Sequence, residues 1–321
     1  MHQKLIMFFF GVVISVCVLF TLCMSVNPVN DRPIIGIITE EVNSTFVPNA
    51  KSNIYASYVK FLEAGGARVV PVMIYKSKQY YRDLLSKING VLFPGGGNIL
   101  RSKGYGRTGK LVFDIATEMN DKGDFFPLWG TCLGFELLNY LAAKKLWMKA
   151  CAAEDVPSNL NFIEGFKNSR MFQDLDVPLE KSMQNENVTI NYHQWCLTPQ
   201  NYTLSGLNKY FKVLALSQDS RNLTYVSVVE GYKYPYYGVA FHPEKVMFEW
   251  VLSKTHHNIP HNAAAIRVSQ YFANFFVNEA RKSTHKFPSK EMEDSVLIYN
   301  YNPVFTGKHG NNPVVQNYYF T

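Results

Sequence analysis

Four short apolar runs organise the first part of the chain: 33-PIIGIIT-39, 68-RVVPVMI-74, 90-GVLFPGGG-97 and 125-FFPLWG-130. Each is nearly continuous in β-branched, aliphatic or aromatic residues, the pattern of strands covered on both faces. Between them the period changes. Tyr55, Tyr58, Val59 and Leu62 fall at i, i+3, i+4 and i+7, and Leu111, Ile115 and Met119 recur every four residues. Strand therefore alternates with helix, which predicts an α/β fold with a mostly parallel central sheet and helices on both of its faces. A further helix is expected from Cys132 to about Lys145.

The second half has a different texture. From about 150 to 210 the chain is rich in Asn and Pro, and long loops are expected there. Strands return at 212-KVLAL-216, 225-YVSVVEG-231 and 237-YGVAFHPE-244. Asn262 is placed to cap a last helix whose buried face is Val268, Phe272, Phe275 and Phe276. The tail from about 283 mixes polar and aromatic residues and is expected to wrap the same domain. The reading is a leader over 1–25 and one domain over 26–321.

Residues 5–22, LIMFFFGVVISVCVLFTL, stand apart, since they follow Lys4 and precede Cys23-Met24-Ser25. A basic start, an apolar stretch and a small-x-small end predict a secretory signal peptide cleaved near Ser25. The stretch also approaches the length of a bilayer span, so a retained anchor is the alternative. Four Asn-x-Ser/Thr sequons, at Asn43, Asn187, Asn201 and Asn222, agree with export and predict exposed, glycosylated loops. The net charge of +7 is scattered, without the basic stripe of a nucleic-acid binder. Outside the leader three cysteines remain, Cys132, Cys151 and Cys196, so at least one thiol is free or pairs with another chain. A bridge between Cys151 and Cys196 would leave Cys132 over. No Cys/His spacing resembles a zinc site.

The chemistry concentrates in Gly130-Thr131-Cys132-Leu133-Gly134. G-x-C-x-G between a strand and a helix is the cysteine form of a nucleophile elbow. Glycines there permit a sharp turn, and the helix N-terminus favours a thiolate. The Leu133 N–H would face the reacting carbonyl oxygen as half of an oxyanion hole. The competing reading is a small buried structural cysteine. A thiol nucleophile needs a base and the base an orienter. 241-FHPEK-245 offers His242 and Glu244, two apart and so on one side of a strand end. 94-PGGGN-98 offers backbone N–H groups for the other half of the hole. Each motif alone is commonplace; three in this order at three strand ends are far more specific.

In that order the motifs resemble the class I glutamine amidotransferase fold, which is flavodoxin-like, and within it the gamma-glutamyl hydrolase family. 57-SYVKFLEAGGARVVPV-72, 88-INGVLFPGGG-97, 127-PLWGTCLGFE-136, 169-SRMF-172, 231-GYKYP-235 and 275-FFVNEARK-282 carry the resemblance, which extends from about residue 32 to the tail. It implies Cys132 as nucleophile, His242 as general base, Glu244 as its orienter, and Leu133 with Gly96 as oxyanion donors. It also implies a second histidine near the site, His193, and a substrate contact from Arg170 in SRMF. The reaction implied is hydrolysis of γ-glutamyl bonds in poly-γ-glutamates such as folate polyglutamates. No metal or cofactor takes part. The expected setting is a secreted or lysosomal homodimer that binds neither nucleic acid nor, once the leader is cut, membrane. Lys60 and Lys110 are further candidate cations for the anionic tail. Cys196 beside Trp195 and the third glycine of PGGG depart from the family pattern. Two rivals remain: a non-catalytic γ-glutamyl-binding relative, and a glutamine-hydrolysing amidotransferase subunit.

Overall fold

A computed structural model describes residues 29–42, 44, 46–309 and 312–321. The leader and Asn43 lie outside the described residues. An eight-stranded sheet forms the centre, in the order Arg68–Val72, Ile34–Ile38, Val91–Phe93, Leu128–Thr131, Tyr236–Val239, Thr224–Gly231, Phe211–Gln218 and Asn161–Phe162. The first five strands are parallel, and the last three join antiparallel. The sheet is thus mixed, with its parallel part carrying the apolar runs of the sequence.

Burial on both faces explains those runs. Ile34 and Ile38 point into one apolar layer with helices Lys78–Leu85, Tyr105–Asp121 and Leu133–Ala143. Ile35 and Ile37 point into the other, with helices Ala56–Ala64, Val177–Asn185 and Ala263–Ala280. Trp129 fills that second layer against Phe61, Phe272 and Phe276, with ring centroids 6.4, 6.1 and 5.5 Å away. Asn262 caps the last helix by accepting from the Ala265 N–H at 2.9 Å. On that helix Val268, Phe272 and Phe276 are buried, while Phe275 is half-buried against Tyr237.

Residues 150–210 correct the expectation of long loops. Strands Lys149–Ser158 and Thr189–Cys196 pair antiparallel, flanked by helices Val177–Asn185 and Pro199–Leu204. The pairing shifts register twice, after Ala150 and after Glu154. Bulges break the two-residue alternation by which a strand is recognised. Helix Lys78–Leu85 was also hidden, because its apolar face is only Tyr81, Leu84 and Leu85; Ser77 caps it. The tail does wrap back: Gln316–Phe320 pairs antiparallel with Ser52–Tyr55. Among the described residues no helix is long and apolar enough to cross a membrane.

Candidate active site

Three adjacent parallel strands, Val91–Phe93, Leu128–Thr131 and Tyr236–Val239, end at one edge of the sheet. The chain leaves them as Gly95–Gly97, Cys132 and His242, so the topology gathers the three motifs at the carboxyl edge, where open α/β sheets place ligands. A cleft of about 460 Å³ opens there, lined by all of these residues.

Cys132 has φ 51° and ψ −111°, backbone angles that few L-residues adopt. Its N–H donates to the Val239 carbonyl at 2.9 Å, which ties the elbow to the neighbouring strand. The flanking glycines are required by close approach. A Cβ on Gly130 would lie 2.5 Å from the Gly134 carbonyl oxygen, and one on Gly134 would collide with the Phe93 carbonyl. Helix Leu133–Ala143 therefore starts tight against two strands, and Cys132 stands at its N-terminus with 9% exposure. Burial pushes the thiol well above its ordinary pKa, Glu136 adds to the rise, and the Leu133 N–H opposes it. At rest the sulfur holds its proton, and the helix terminus alone does not make a thiolate.

His242 differs from expectation in how it is held. The strand stops at Val239, and His242 instead precedes the helix Pro243–Phe248, with Glu244 in the first turn. That geometry brings Glu244 Oε1 to 2.7 Å from His242 Nδ1. The opposite ring nitrogen is left for the thiol. Burial holds His242 below its ordinary pKa, while Glu244 works to raise it. A neutral imidazole thus shares the cleft with a neutral thiol, with a carboxylate ready to stabilise the imidazolium once the proton moves.

Gly95 packs between the two. A Cβ there would lie 2.8 Å from Cys132 Cβ and 2.9 Å from both His242 Cε1 and the Tyr58 hydroxyl. Its N–H already donates to Tyr58 at 2.7 Å, which leaves the Gly96 and Gly97 N–H groups for an oxyanion. Gly96 rests on the Glu40 carboxyl, which a Cβ would strike. Asn98 Nδ2 donates to Glu40 at 3.2 Å. Burial lifts this carboxyl to about 8, against the Asn98 hydrogen bond and with help from Glu41, so it is neutral at pH 7.

His193 lies on the other side of the nucleophile. It shares a small void of about 10 Å³ with Cys132, Glu136 and Cys196, and burial together with His242 lowers it to about 4. Cys151 and Cys196 are joined in a disulfide beside it, and among the described residues Cys132 is the free thiol.

The expected cations are not in the cleft. Arg170 is held by Glu230 and by the carbonyls of Gly231 and Tyr234, with its guanidinium over the Tyr237 ring, and it does not line the cleft. Lys60 bonds Gln316 and Lys110 pairs with Asp114 one turn on. Lys245 and Lys254 line the cleft instead, with His256 and His257. Lys245 sits over the Tyr192 ring at 5.2 Å, and Asp155 pins the 257–258 backbone to the Lys149–Ser158 strand. Lys245 stands inside 241-FHPEK-245; Lys254 carries no signal because a loop brings it to the site from 122 residues past Cys132. Of the sequons, Asn187 and Asn222 are exposed in connections, whereas Asn201 is half-buried in the helix Pro199–Leu204.

A thiol at a strand-to-helix elbow, a carboxylate-held imidazole and free loop N–H groups define a thiol-dependent acyl-transfer enzyme. The family model for peptidase C26 matches residues 33–244, and the chain belongs to that family. It is 42% identical over 278 residues to the gamma-glutamyl hydrolase of Homo sapiens, covering 86% of each chain. It is 37% identical to gamma-glutamyl hydrolase 1 of Arabidopsis thaliana, over 90% of this chain and 83% of that one. Gamma-glutamyl hydrolase B of Dictyostelium discoideum is 36% identical over 88% and 82%. In fold the chain is similar to the glutaminase domain of Trypanosoma brucei CTPS (TM-score 0.50, 14% identity, 78% of this chain and 95% of that one).

Proposed function

We propose that the chain hydrolyses γ-glutamyl amide bonds of poly-γ-glutamates, folate polyglutamates among them, through a thioester on Cys132. The single observation that carries this reading is the convergence of Cys132, the His242–Glu244 pair and the glycine loop on one cleft, within a chain related over most of its length to gamma-glutamyl hydrolases. His242 takes the Cys132 proton as the sulfur attacks the γ-carbonyl. The Leu133 and Gly96 N–H groups hold the oxyanion, and imidazolium then protonates the leaving amine. Water, deprotonated by the same imidazole, releases the glutamyl product. Hydroxylamine tests the thioester: it should divert product to the γ-hydroxamate at the expense of the free acid. Total turnover with no hydroxamate at any concentration would contradict an acyl-enzyme.

The substrate tail is polyanionic, and Lys245 and Lys254 supply opposite charge along the cleft. Because Lys254 is exposed, its contribution is small and screened by salt. Lys254→Ala should raise KM about 3- to 10-fold for a pentaglutamate with kcat retained, and the difference should shrink in high salt.

Glu40 gives the pH profile its upper limb. Below pH 8 it is a neutral acid behind the oxyanion loop; above, its anion opposes the charge growing at Gly96. We expect kcat to fall roughly tenfold between pH 7 and 9, about 1.4 kcal/mol of barrier. Glu40→Gln should keep kcat flat over that range. Glu136, raised to about 7 by burial, titrates earlier and in both proteins, so the comparison isolates Glu40. A fall of equal size in the Gln variant would refute the assignment.

The cellular setting belongs to the same reading: a secreted or lysosomal glycoprotein, homodimeric, with residues 26–321 as one domain. The apolar run at 5–22, the exposed Asn187 and Asn222 and the Cys151–Cys196 disulfide, a bond of oxidising compartments, support the exported, glycosylated part of that reading.

A further inference from the structure

The paired strands Lys149–Ser158 and Thr189–Cys196 hold a group of side chains to which the mechanism above assigns no step. Cys151, His193 and Cys196 are all buried, and their ligand atoms lie within 4.8 Å of one another. The register shift between Ala150 and Ala153 turns Cys151 inward to meet Cys196 across the two strands. His193 Nδ1 faces both sulfurs, at 3.4 Å from Cys196 and 3.7 Å from Cys151.

The second ring nitrogen is oriented as in metal-binding histidines. Asn191 donates through Nδ2 to the Val156 carbonyl and the Ser158 hydroxyl, so its Oδ1 is the atom turned to His193 Nε2, at 3.3 Å. In the tautomer with Nε2–H donated to that oxygen, the Nδ1 lone pair is directed at the sulfurs; the Trp195 backbone also accepts from this ring. The Tyr225 ring fixes the imidazole edge-on at 5.1 Å.

We propose that reduction of the Cys151–Cys196 disulfide creates a Cys2His site for a thiophilic divalent cation, zinc above all. A tetrahedral zinc with two thiolates and one imidazole needs edges of roughly 3.5–3.8 Å between ligand atoms. Both nitrogen–sulfur edges are already of that size, and only the sulfurs must part. The void of about 10 Å³ beside His193 and Cys196 has room for about one water as fourth ligand. A surface cavity of about 470 Å³, lined by Cys151, Trp195 and Arg221, offers entry to reductant and metal.

The chemistry balances with a dithiol as reductant. Its two thiols pass two electrons and two protons to the disulfide, giving two cysteine thiols and the cyclic disulfide of the reagent. Binding then releases both protons, and two thiolates neutralise the dication, which suits a buried site. In an oxidising compartment the site is absent; under reduction it recruits a histidine, His193, that borders the nucleophile's void.

Cobalt(II) is the probe, in the mature chain over 26–321 carrying Cys132→Ala, so that neither the nucleophile nor the leader thiols Cys17 and Cys23 compete. After reduction and anaerobic removal of the dithiol, one cobalt per chain should give tetrahedral d–d bands and a thiolate charge-transfer band, bleached by one equivalent of zinc. The oxidised chain should bind at least about 100-fold more weakly. Reduced and oxidised chains with the same spectrum would overturn the proposal. So would equal bands in a Cys151→Ser/Cys196→Ser chain, or equal affinity in reduced chain unfolded by denaturant. Loss of near-UV circular dichroism on reduction, with no cobalt bound, would overturn it equally, because the site requires the folded strand pair.

Discussion

Cys132→Ala should lower kcat/KM for a γ-glutamyl substrate by about 10⁴-fold or more while leaving the protein folded. Removal of a nucleophile erases the covalent route, and what remains is binding and the oxyanion loop, as in serine hydrolases stripped of their nucleophile. The fold should tolerate the change. The sulfur is small, and Ala accepts the φ of 51° no worse than Cys does. Cys132 is buried, so the sulfur's transfer free energy is lost in full, but for one atom that is about 1 kcal/mol. Steady-state kinetics and a thermal melt on the same preparation check both halves. Retention of more than a few per cent of activity would remove Cys132 from the mechanism.

His242→Ala should be comparably severe in rate, about 10⁴-fold in kcat, and should also destabilise the fold. His256 and His257 line the same cleft, but of these imidazoles His242 is the one a carboxylate holds, through Glu244, so it alone is set to take the proton of a thiol that burial pushes up. The stability cost comes from Glu244. It is 1% exposed, Oε1 bonds His242, and Oε2 has no hydrogen-bond partner among the described residues. Without the imidazole a buried carboxylate is left unpaired, a loss of about 3 kcal/mol. Adding Glu244→Gln to His242→Ala should recover most of that stability and none of the activity. If the double variant melts no higher than the single, the cost lies elsewhere. In the wild type, kcat/KM should decline as pH falls through the His242 pKa. Burial sets that pKa below the ordinary 6.5, so activity persists into mildly acid solution.

Much of this was legible in the sequence because the parallel strands are buried on both faces and the catalytic motifs sit where they end. G-x-C-x-G marks its own turn: the glycines at 130 and 134 are dictated by carbonyl oxygens that any Cβ would strike. Three features were not legible. The strands 149–158 and 189–196 carry bulges and many polar residues, so they lack the alternation that announces a strand. His242 and Glu244 meet through a helix start and not a strand pleat. The cleft's cations come from wherever loops return: Arg170, on the quoted SRMF, is consumed by Glu230, whereas Lys254, in an unremarkable stretch, reaches the site. Glu40 is a stronger case, since only the fold shows that it lies beneath Gly96, 56 residues later in the chain.

The central claim is that this cleft cuts γ-glutamyl bonds, and incubation of the purified chain with folate pentaglutamate at mildly acid pH tests it most directly. Mass spectrometry of the products should show shortened folates and free glutamate or γ-glutamyl peptides, with the first species formed revealing internal or terminal cutting. Substrate that is bound by folded protein yet recovered intact would contradict the account and leave a γ-glutamyl-binding protein in its place.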